Sequence, residues 1–508
     1  MNERARIPVT LPRDNPTQSY WQDPPDGIAD LRTTPDLPGN ADVVIIGSGI
    51  TGAAVAWSLL QDGNGSGGSG GSDISSTPPS VVMLEARQAC SGATGRNGGH
   101  TKAASYRSFL ANTDALGAPA AAKIARLELA NIDAVHAFAR EHAIPCDSNP
   151  CRTVDIIYDE PHWREAHEAV QAMRAALGPD DPAAEYTFHD AEEARARFYC
   201  AGADADREPV GAVSYAAGSI SGYGFGVGVL KLALAGGLNL QTGTPAVSLG
   251  RCADGGGRWE VCTPRGRVVT DKVVLATNGY TAHLWEAFQG AIVPLRGQVT
   301  AQRPGANMPR DGLPTTYSFI YENGYEYMVP RPPGSRHAGD IVIGGGLVRA
   351  PREGLLEYGT TDDTTVDEDI SAYLREATVR CFGRRNWGED HPGGRVRREW
   401  TGIMGYSPDG LPFVGKVPGS SGGLWASCSF QGHGMVLCWM CARAMVRMMR
   451  GGDGDLDGWF PREFVISEER LRKRFRGRLH TSAAEDHPVR DDHQPPARMD
   501  LGLAPGPP

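Results

Sequence analysis

Six residues, Gly47-Ser-Gly-Ile-Thr-Gly52, restrict what this chain can fold into more than any other feature. They follow Asp42–Ile46, a β-branched run of the kind expected for a strand buried on both faces. A helix of small residues is expected next, from about Thr51 to Leu60. Each glycine serves the geometry differently. Gly47 permits the tight turn, Gly49 lets backbone approach a pyrophosphate, and Gly52 lets helix pack on strand. The helix N-terminus then presents N–H groups and a positive dipole end to phosphate. Taken alone, the spacing also suits a glycine turn that binds nothing.

Glu85 strengthens the ligand reading. It closes a second apolar strand, Val81–Leu84, where a carboxylate accepts hydrogen bonds from ribose hydroxyls. Its distance from Gly47 exceeds the usual spacing of roughly 20 residues. The Gly/Ser tract Gly63–Ser76 accounts for the excess, and reads as a flexible insertion between helix and strand, away from the phosphates. The fingerprint does not separate FAD from NAD. The long Gly/Ser/Thr/Asn loop from Glu85 to His100 does, because its small residues allow backbone to reach both a pyrophosphate and a flavin edge.

Composition narrows the remaining classes. Net charge is -10 over 508 residues, which counts against a nucleic-acid partner. No apolar run reaches the roughly 18 residues of a membrane span, and Met1–Asn40 lacks a signal-peptide core. Ten cysteines in so long a chain do not suggest a disulfide framework, so a reducing, cytoplasmic location is expected. No metal-ligand spacing is evident; Cys438-Trp-Met-Cys441 lies in an apolar helical context and reads as core packing.

Ala118–His142 and Trp163–Leu177 read as helices, and Gly434–Arg450 as a Met-rich one. Short strands are expected at Leu238–Gln241, Ala246–Leu249, Arg258–Thr263, Arg267–Ala276, Val293–Gln302, Tyr325–Pro330, Asp340–Leu347 and Gly422–Ser429. The end of the chain turns polar and proline-rich, as a disordered tail does.

Several well-separated segments together resemble the D-amino-acid oxidase-like (DAO) family of FAD-dependent oxidoreductases. They are the glycine turn with Glu85, Ser91-Gly-Ala-Thr-Gly-Arg-Asn-Gly-Gly99, Val274-Leu-Ala-Thr-Asn-Gly279, Pro294-Leu-Arg-Gly-Gln298, Ser407-Pro-Asp-Gly-Leu-Pro412 and Phe430-Gln-Gly-His-Gly-Met435. The nearest members are those related to γ-glutamylputrescine oxidoreductase and to glycine and sarcosine oxidases. The resemblance implies an α/β fold: a Rossmann-like FAD-binding domain of discontinuous segments, with an interleaved antiparallel-sheet substrate domain. The segments expected for the FAD domain are 41–110, 205–290 and 396–452. Those for the substrate domain are 111–204 and 291–395, with an arm at 1–40 and a partly disordered extension at 453–508.

The same resemblance places FAD against Gly47, Ser48, Gly49, Ile50, Thr51, Gly52, Glu85, Ala86 and Arg87. Ser91, Gly92, Ala93, Thr94, Asn97, Gly98, Gly99 and His100 would follow, with Val247 at the adenine. Ala276, Thr277, Gly432, His433, Gly434 and Met435 complete the set. FAD would be non-covalent, since Trp400–Tyr406 offers no thiol where related enzymes attach it. The implied reaction is oxidation of a C–N bond in a small amine or amino acid by hydride transfer to the flavin, with O2 as acceptor and H2O2 as product. A dehydrogenase with another acceptor, or an inactive flavin-binding interaction protein, are the alternatives. His100, Arg296, Tyr325 and His433 are the candidates for the substrate site. Arg296 would pair with a substrate carboxylate or else form a structural ion pair, and Tyr325 with Tyr327 would face an ammonium or merely cover the sheet.

Overall fold

A computed structural model describes residues 1–61, 78–200, 208–253, 256–322 and 324–477. The Gly63–Ser76 tract and the chain beyond 477 lie outside the described residues. Two sheets organise the molecule. In the first, five strands run parallel: Leu424–Cys428, Gly266–Leu275, Asn40–Ile46, Val81–Leu84 and Asn239–Gln241, in that spatial order. Phe413–Lys416 adds an antiparallel edge, and Ser248–Arg251 with Trp259–Thr263 extends Gly266–Leu275 as a meander.

The central strand is buried on both faces, as its β-branched run predicts. Val43 and Ile45 enter the core beneath the helices Ile50–Gln61, Gly222–Ala235 and Cys438–Met449. Val44 and Ile46 enter a second core with Trp259, Phe288 and Phe413. Burying apolar side chains on both sides excludes water from the whole strand. Helix Ile50–Gln61 approaches the strand closely at Gly52, where a Cβ would lie 3.4 Å from Ile45. The helix Gly222–Ala235 is glycine-rich for the same reason. A Cβ on Gly228 would sit 2.2 Å from Ile144, and one on Gly226 2.9 Å from the Cys90 sulfur.

The second sheet has the order Val396–Tyr406, Val293–Gln302, Ile341–Gly344, Gly324–Pro330, Thr316–Tyr321, Asn149–Ile157, Gly211–Ser219 and His100–Thr101, with Thr187–Asp190 also on Gly211–Ser219. One joint, between Thr316–Tyr321 and Asn149–Ile157, is parallel, so the sheet is mixed. Val396–Tyr406 and Gly211–Ser219 belong here, although their sequence positions place them in segments expected for the FAD domain. The chain crosses between sheets inside those segments. His100–Thr101 does the same at the end of the glycine-rich loop, which carries that loop to the seam between the two sheets.

Residues 1–40 and 453–477 are more structured than their composition predicts. Tyr20 and Trp21 are buried, and Trp21 Nε1 donates to the Asn97 carbonyl at 2.6 Å. Residues 453–477 pack rather than trail: Leu456, Phe460, Phe464 and Phe475 are buried. Arg470 pairs with Asp409 at 2.8 Å and donates to the Pro412 and Phe464 carbonyls. No helix among the described residues is long and apolar enough to cross a membrane.

Candidate functional site

The carboxyl ends of the parallel strands open into one cavity of about 1540 Å³ that continues to the second sheet. Ligands of open α/β sheets sit at this end of the strands. The volume exceeds the roughly 300–1,000 Å³ typical of a small-ligand pocket, which leaves room for a dinucleotide together with a substrate.

At one end is the glycine turn. Gly47 adopts φ +104, and a Cβ there would lie 2.5 Å from the Ala276 carbonyl oxygen. Only glycine takes that conformation without strain. A Cβ on Gly52 would lie 2.0 Å from the Gly47 oxygen, and one on Gly49 2.8 Å from Thr94 Oγ1. The turn is therefore a cradle walled by backbone. Glu85 accepts from Ser48 N–H at 3.1 Å, Ser48 Oγ–H at 2.6 Å and Arg87 N–H at 2.9 Å. A carboxylate has about four acceptor positions, so Glu85 keeps capacity for a ribose hydroxyl on its cavity side.

Of the residues that the sequence associates with FAD, Gly47–Thr51, Glu85–Arg87, Gly92–Thr94, Asn97, Gly98, His100, Ala276, Thr277 and Gly432–Met435 line this cavity. Gly52, Ser91, Gly99 and Val247 do not. Gly52 acts from behind by admitting the helix. Gly99 packs against Trp21 and the Ile220 carbonyl. Ser91 Oγ is buried without a hydrogen-bond partner in the loop beneath the cradle. Val247, expected to reach the adenine through its backbone, lies just before a strand. Its strand begins at Ser248 rather than Ala246, its N–H donates to the Cys262 carbonyl at 2.9 Å, and it is 40% exposed. The lining residue at that point is Ala246.

Other side chains in the set also turn out to be structural. Asn97 braces the loop from within, donating to the Thr94 carbonyl at 2.8 Å and accepting from Gly99 N–H at 2.7 Å. Arg87 is engaged by Asp363 at 3.0 Å, and Arg96 lies 3.6 Å from the same carboxylate. Burial lowers the Arg96 pKa to about 10 against the pull of Asp363. The expected helix at Gly434 is a short 3-10 turn, Gly434–Val436, and the α-helix starts only at Cys438. The Cys438 and Cys441 thiols are both pushed up by burial, as core packing predicts. Cys90 is buried too, with its sulfur on the Ser48 carbonyl at 3.1 Å.

The four substrate-site candidates all line the cavity. His100 Nε2 bonds Thr316 Oγ1 at 2.7 Å. Burial, with help from Lys102 and His433, holds its pKa well below the ordinary value, so the ring is neutral at pH 7. His433 faces the same space. Tyr327 lies 6.4 Å from His100 between ring centroids, and Tyr325 lies 6.4 Å beyond it. Gly98 and Gly344 leave the space for Tyr327, since a Cβ on either would strike its ring at 2.1 or 2.4 Å. Arg296, by contrast, is occupied: Glu357 takes its Nε at 2.6 Å and an Nη at 2.9 Å. The structural ion pair, not a substrate contact, is the outcome at that position. The sequence does not single out Lys102 or Arg107, which also line the cavity, or Asp155, which pairs with Lys102.

Behind His100, His136 bonds Thr101 Oγ1 at 2.8 Å and Ser148 Oγ at 2.7 Å. Burial lowers its pKa from 6.5 to about 4. The folded chain thus binds its proton less well than the unfolded chain, and stability falls as pH drops below 6.5. The loss should reach on the order of 3 kcal/mol near pH 4. Urea midpoints at pH 7.5 and 5 should separate widely for the wild type and less for His136→Gln; equal separations would contradict this.

The comparisons with known proteins agree with this geometry. A probable oxidoreductase OrdL of Rhizobium meliloti is 24% identical over 427 residues, 83% of this chain and 86% of that protein. Glycine oxidase of Pseudomonas aeruginosa is 27% identical over 199 residues, 39% of this chain and 46% of that protein. Among solved structures, glycine oxidase from Geobacillus kaustophilus superposes with a TM-score of 0.64 at 17% identity, covering 84% of this chain and 99% of the other. The sequence profile described as FAD dependent oxidoreductase (DAO) matches residues 42–448, most of the chain. A backbone cradle, a ribose-facing carboxylate and a cavity large enough for the dinucleotide all suit the cofactor of that group, and the chain belongs to the DAO family of FAD-dependent oxidoreductases.

Proposed function

We propose that this chain oxidises the C–N bond of a small amine or amino acid and passes the electrons to O2. The observation that carries the reading is the continuity of the cavity. One space joins the glycine cradle to a wall of His100, Tyr325 and Tyr327. The names of the related glycine oxidases give the substrate class. FAD, when bound, supplies a two-electron acceptor for a hydride from the carbon beside a neutral amine. The amine nitrogen loses a proton, leaving an imine that water hydrolyses, and O2 takes up two electrons and two protons as H2O2.

The chain's own residues bind and orient. Gly47–Thr51 and Glu85 would hold the dinucleotide, with Met404 and Tyr406 facing the space beside His433. His100, neutral and fixed on Thr316, adds no positive charge that would repel an amine. Tyr327 supplies a ring face that attracts the cationic form and excludes water, whereas the Tyr325 ring already carries the Arg107 guanidinium at 4.8 Å. Orientation supplies much of the rate in such a site. Ten cysteines without a disulfide fit a reducing, cytoplasmic setting for this activity.

The purified protein, mixed anaerobically with a panel of amines and amino acids, should lose its yellow colour with at least one. Colour should return on admitting air, with H2O2 formed. A yellow protein that no member of the panel bleaches would count against the reading, and bleaching without recovery in air would assign another acceptor.

A further inference from the structure

Residues 1–40 lie outside the DAO match, yet part of them reaches the cofactor site. Thr10, Leu11 and Pro12 line the cavity, and the Arg13 carbonyl accepts from Arg87 at 3.1 Å. Farther on, Ser19 caps a 3-10 turn, Tyr20–Gln22, by accepting from Trp21 N–H at 3.2 Å. This turn packs against the back of the glycine-rich loop. Ser19 Oγ–H donates to the Gly95 carbonyl, and Trp21 Nε1–H donates to the Asn97 carbonyl at 2.6 Å. The carbonyl between them, that of Arg96, accepts from Trp400 Nε1–H at 2.8 Å. Tyr20 stacks on Trp400 with ring centroids 6.1 Å apart, which ties the turn to that donor as well. Three consecutive carbonyls of the loop are thus held by side chains that do not line the cavity.

A trans peptide points its N–H opposite its carbonyl, and the peptides of this loop are trans. With the Arg96 and Asn97 carbonyls turned to the back, the N–H groups of Asn97 and Gly98 turn to the cavity, which both residues line. Neither N–H has a hydrogen-bond partner among the described residues, although Gly98 is buried. Asn97 Oδ1 accepts from Gly99 N–H instead. Buried amides are nearly always paired, so two successive free ones on a cavity wall call for acceptors from a ligand. The place narrows which ligand. Thr94 of the same loop accepts from Ile50 N–H at 2.9 Å in the cradle, whereas Gly98 abuts the Tyr327 ring. Asn97 and Gly98 therefore stand between the phosphate end and the substrate wall, where a flavin ring would lie. Donors aimed there stabilise negative charge that the ring gains on reduction.

We propose that the turn formed by Ser19 and Trp21 is a positioning strap for the cofactor. It holds the loop from behind so that the Asn97 and Gly98 amides donate to the flavin. Ser19 and Trp21 act through the loop and touch neither cofactor nor substrate. The proposal rests on FAD binding and holds whichever amine is oxidised.

Trp21→Phe keeps a ring against Gly99 and removes the N–H. Serial dilution of the purified holoenzyme, with released FAD read by its fluorescence, gives the dissociation constant. Trp21→Phe should raise it about 3- to 10-fold, the usual effect of losing one hydrogen bond. The bound flavin should also show shifted absorption bands and a lower reduction potential. Ser19→Ala should move all three in the same direction by less, and decides the matter if Trp21→Phe does not fold. Trp425→Phe is the control, because Trp425 Nε1 has no partner among the described residues. It should match the wild type in each readout. Wild-type affinity, bands and potential in Trp21→Phe would overturn the proposal. Weaker binding with unchanged bands and potential would overturn it too, leaving the turn a brace of the fold alone.

Discussion

Gly52→Val should yield a chain that retains less than about a tenth of the wild-type FAD. The new Cβ would stand 2.0 Å from the Gly47 oxygen, 3.1 Å from its carbonyl carbon and 3.4 Å from Ile45. Two of these are backbone atoms of the turn itself, so relief requires the helix to lift from the strand. Lifting it opens the cradle that Gly47 and Gly49 form, and moves the helix N-terminus away from the phosphates it would serve. Gly250→Val is the control, because a Cβ there meets nothing within 4 Å. It should purify with the wild-type complement of FAD. Equal flavin in the two variants would show that the turn does not hold the cofactor.

Asp363→Ala should lower stability by about 3–5 kcal/mol, the usual cost of stranding buried charge. Asp363 is buried and answers two guanidinium groups of the loop that follows Glu85. Arg96 would keep its bonds to Thr17 and the Thr401 carbonyl, but Arg87 would lose both of its contacts of 3.0 Å. The same carboxylate joins a segment next to the second sheet to the loop at the cradle, so FAD should also dissociate more readily. Urea unfolding followed by tryptophan fluorescence checks the first effect, and FAD retained after gel filtration checks the second. A midpoint equal to the wild type's would remove Asp363 from the account.

These two positions differ in how far the sequence reveals them. Gly52 is legible because its constraint is local: strand, turn and helix follow one another, and the glycine spacing states the geometry. Glu85 becomes legible once the Gly/Ser tract is set aside. Val293–Gln302 is found with the bounds that its sequence predicts, because its turns and β-branched residues agree. Asp363 is silent, since what defines it is two arginines hundreds of residues earlier in the chain. Arg107 is silent for a related reason. Its significance is its place over the Tyr325 ring, which no linear pattern records. Helix Gly222–Ala235 escapes a propensity reading because its glycines argue against a helix. Packing against Ile144 and Cys90, with Ser221 capping Gly224 N–H, decides otherwise. At Val247 the backbone N–H is bonded to the Cys262 carbonyl, and Ala246 is the residue that lines the cavity.

The central claim is that the cradle at Gly47–Gly52 and Glu85 holds FAD without a covalent bond. The visible spectrum of the purified protein, followed by acid precipitation, tests it most directly. The account predicts flavin absorbance that survives purification and passes entirely into the supernatant as FAD. A colourless protein that cannot be reconstituted with FAD, or a flavin that stays with the precipitate, would contradict it.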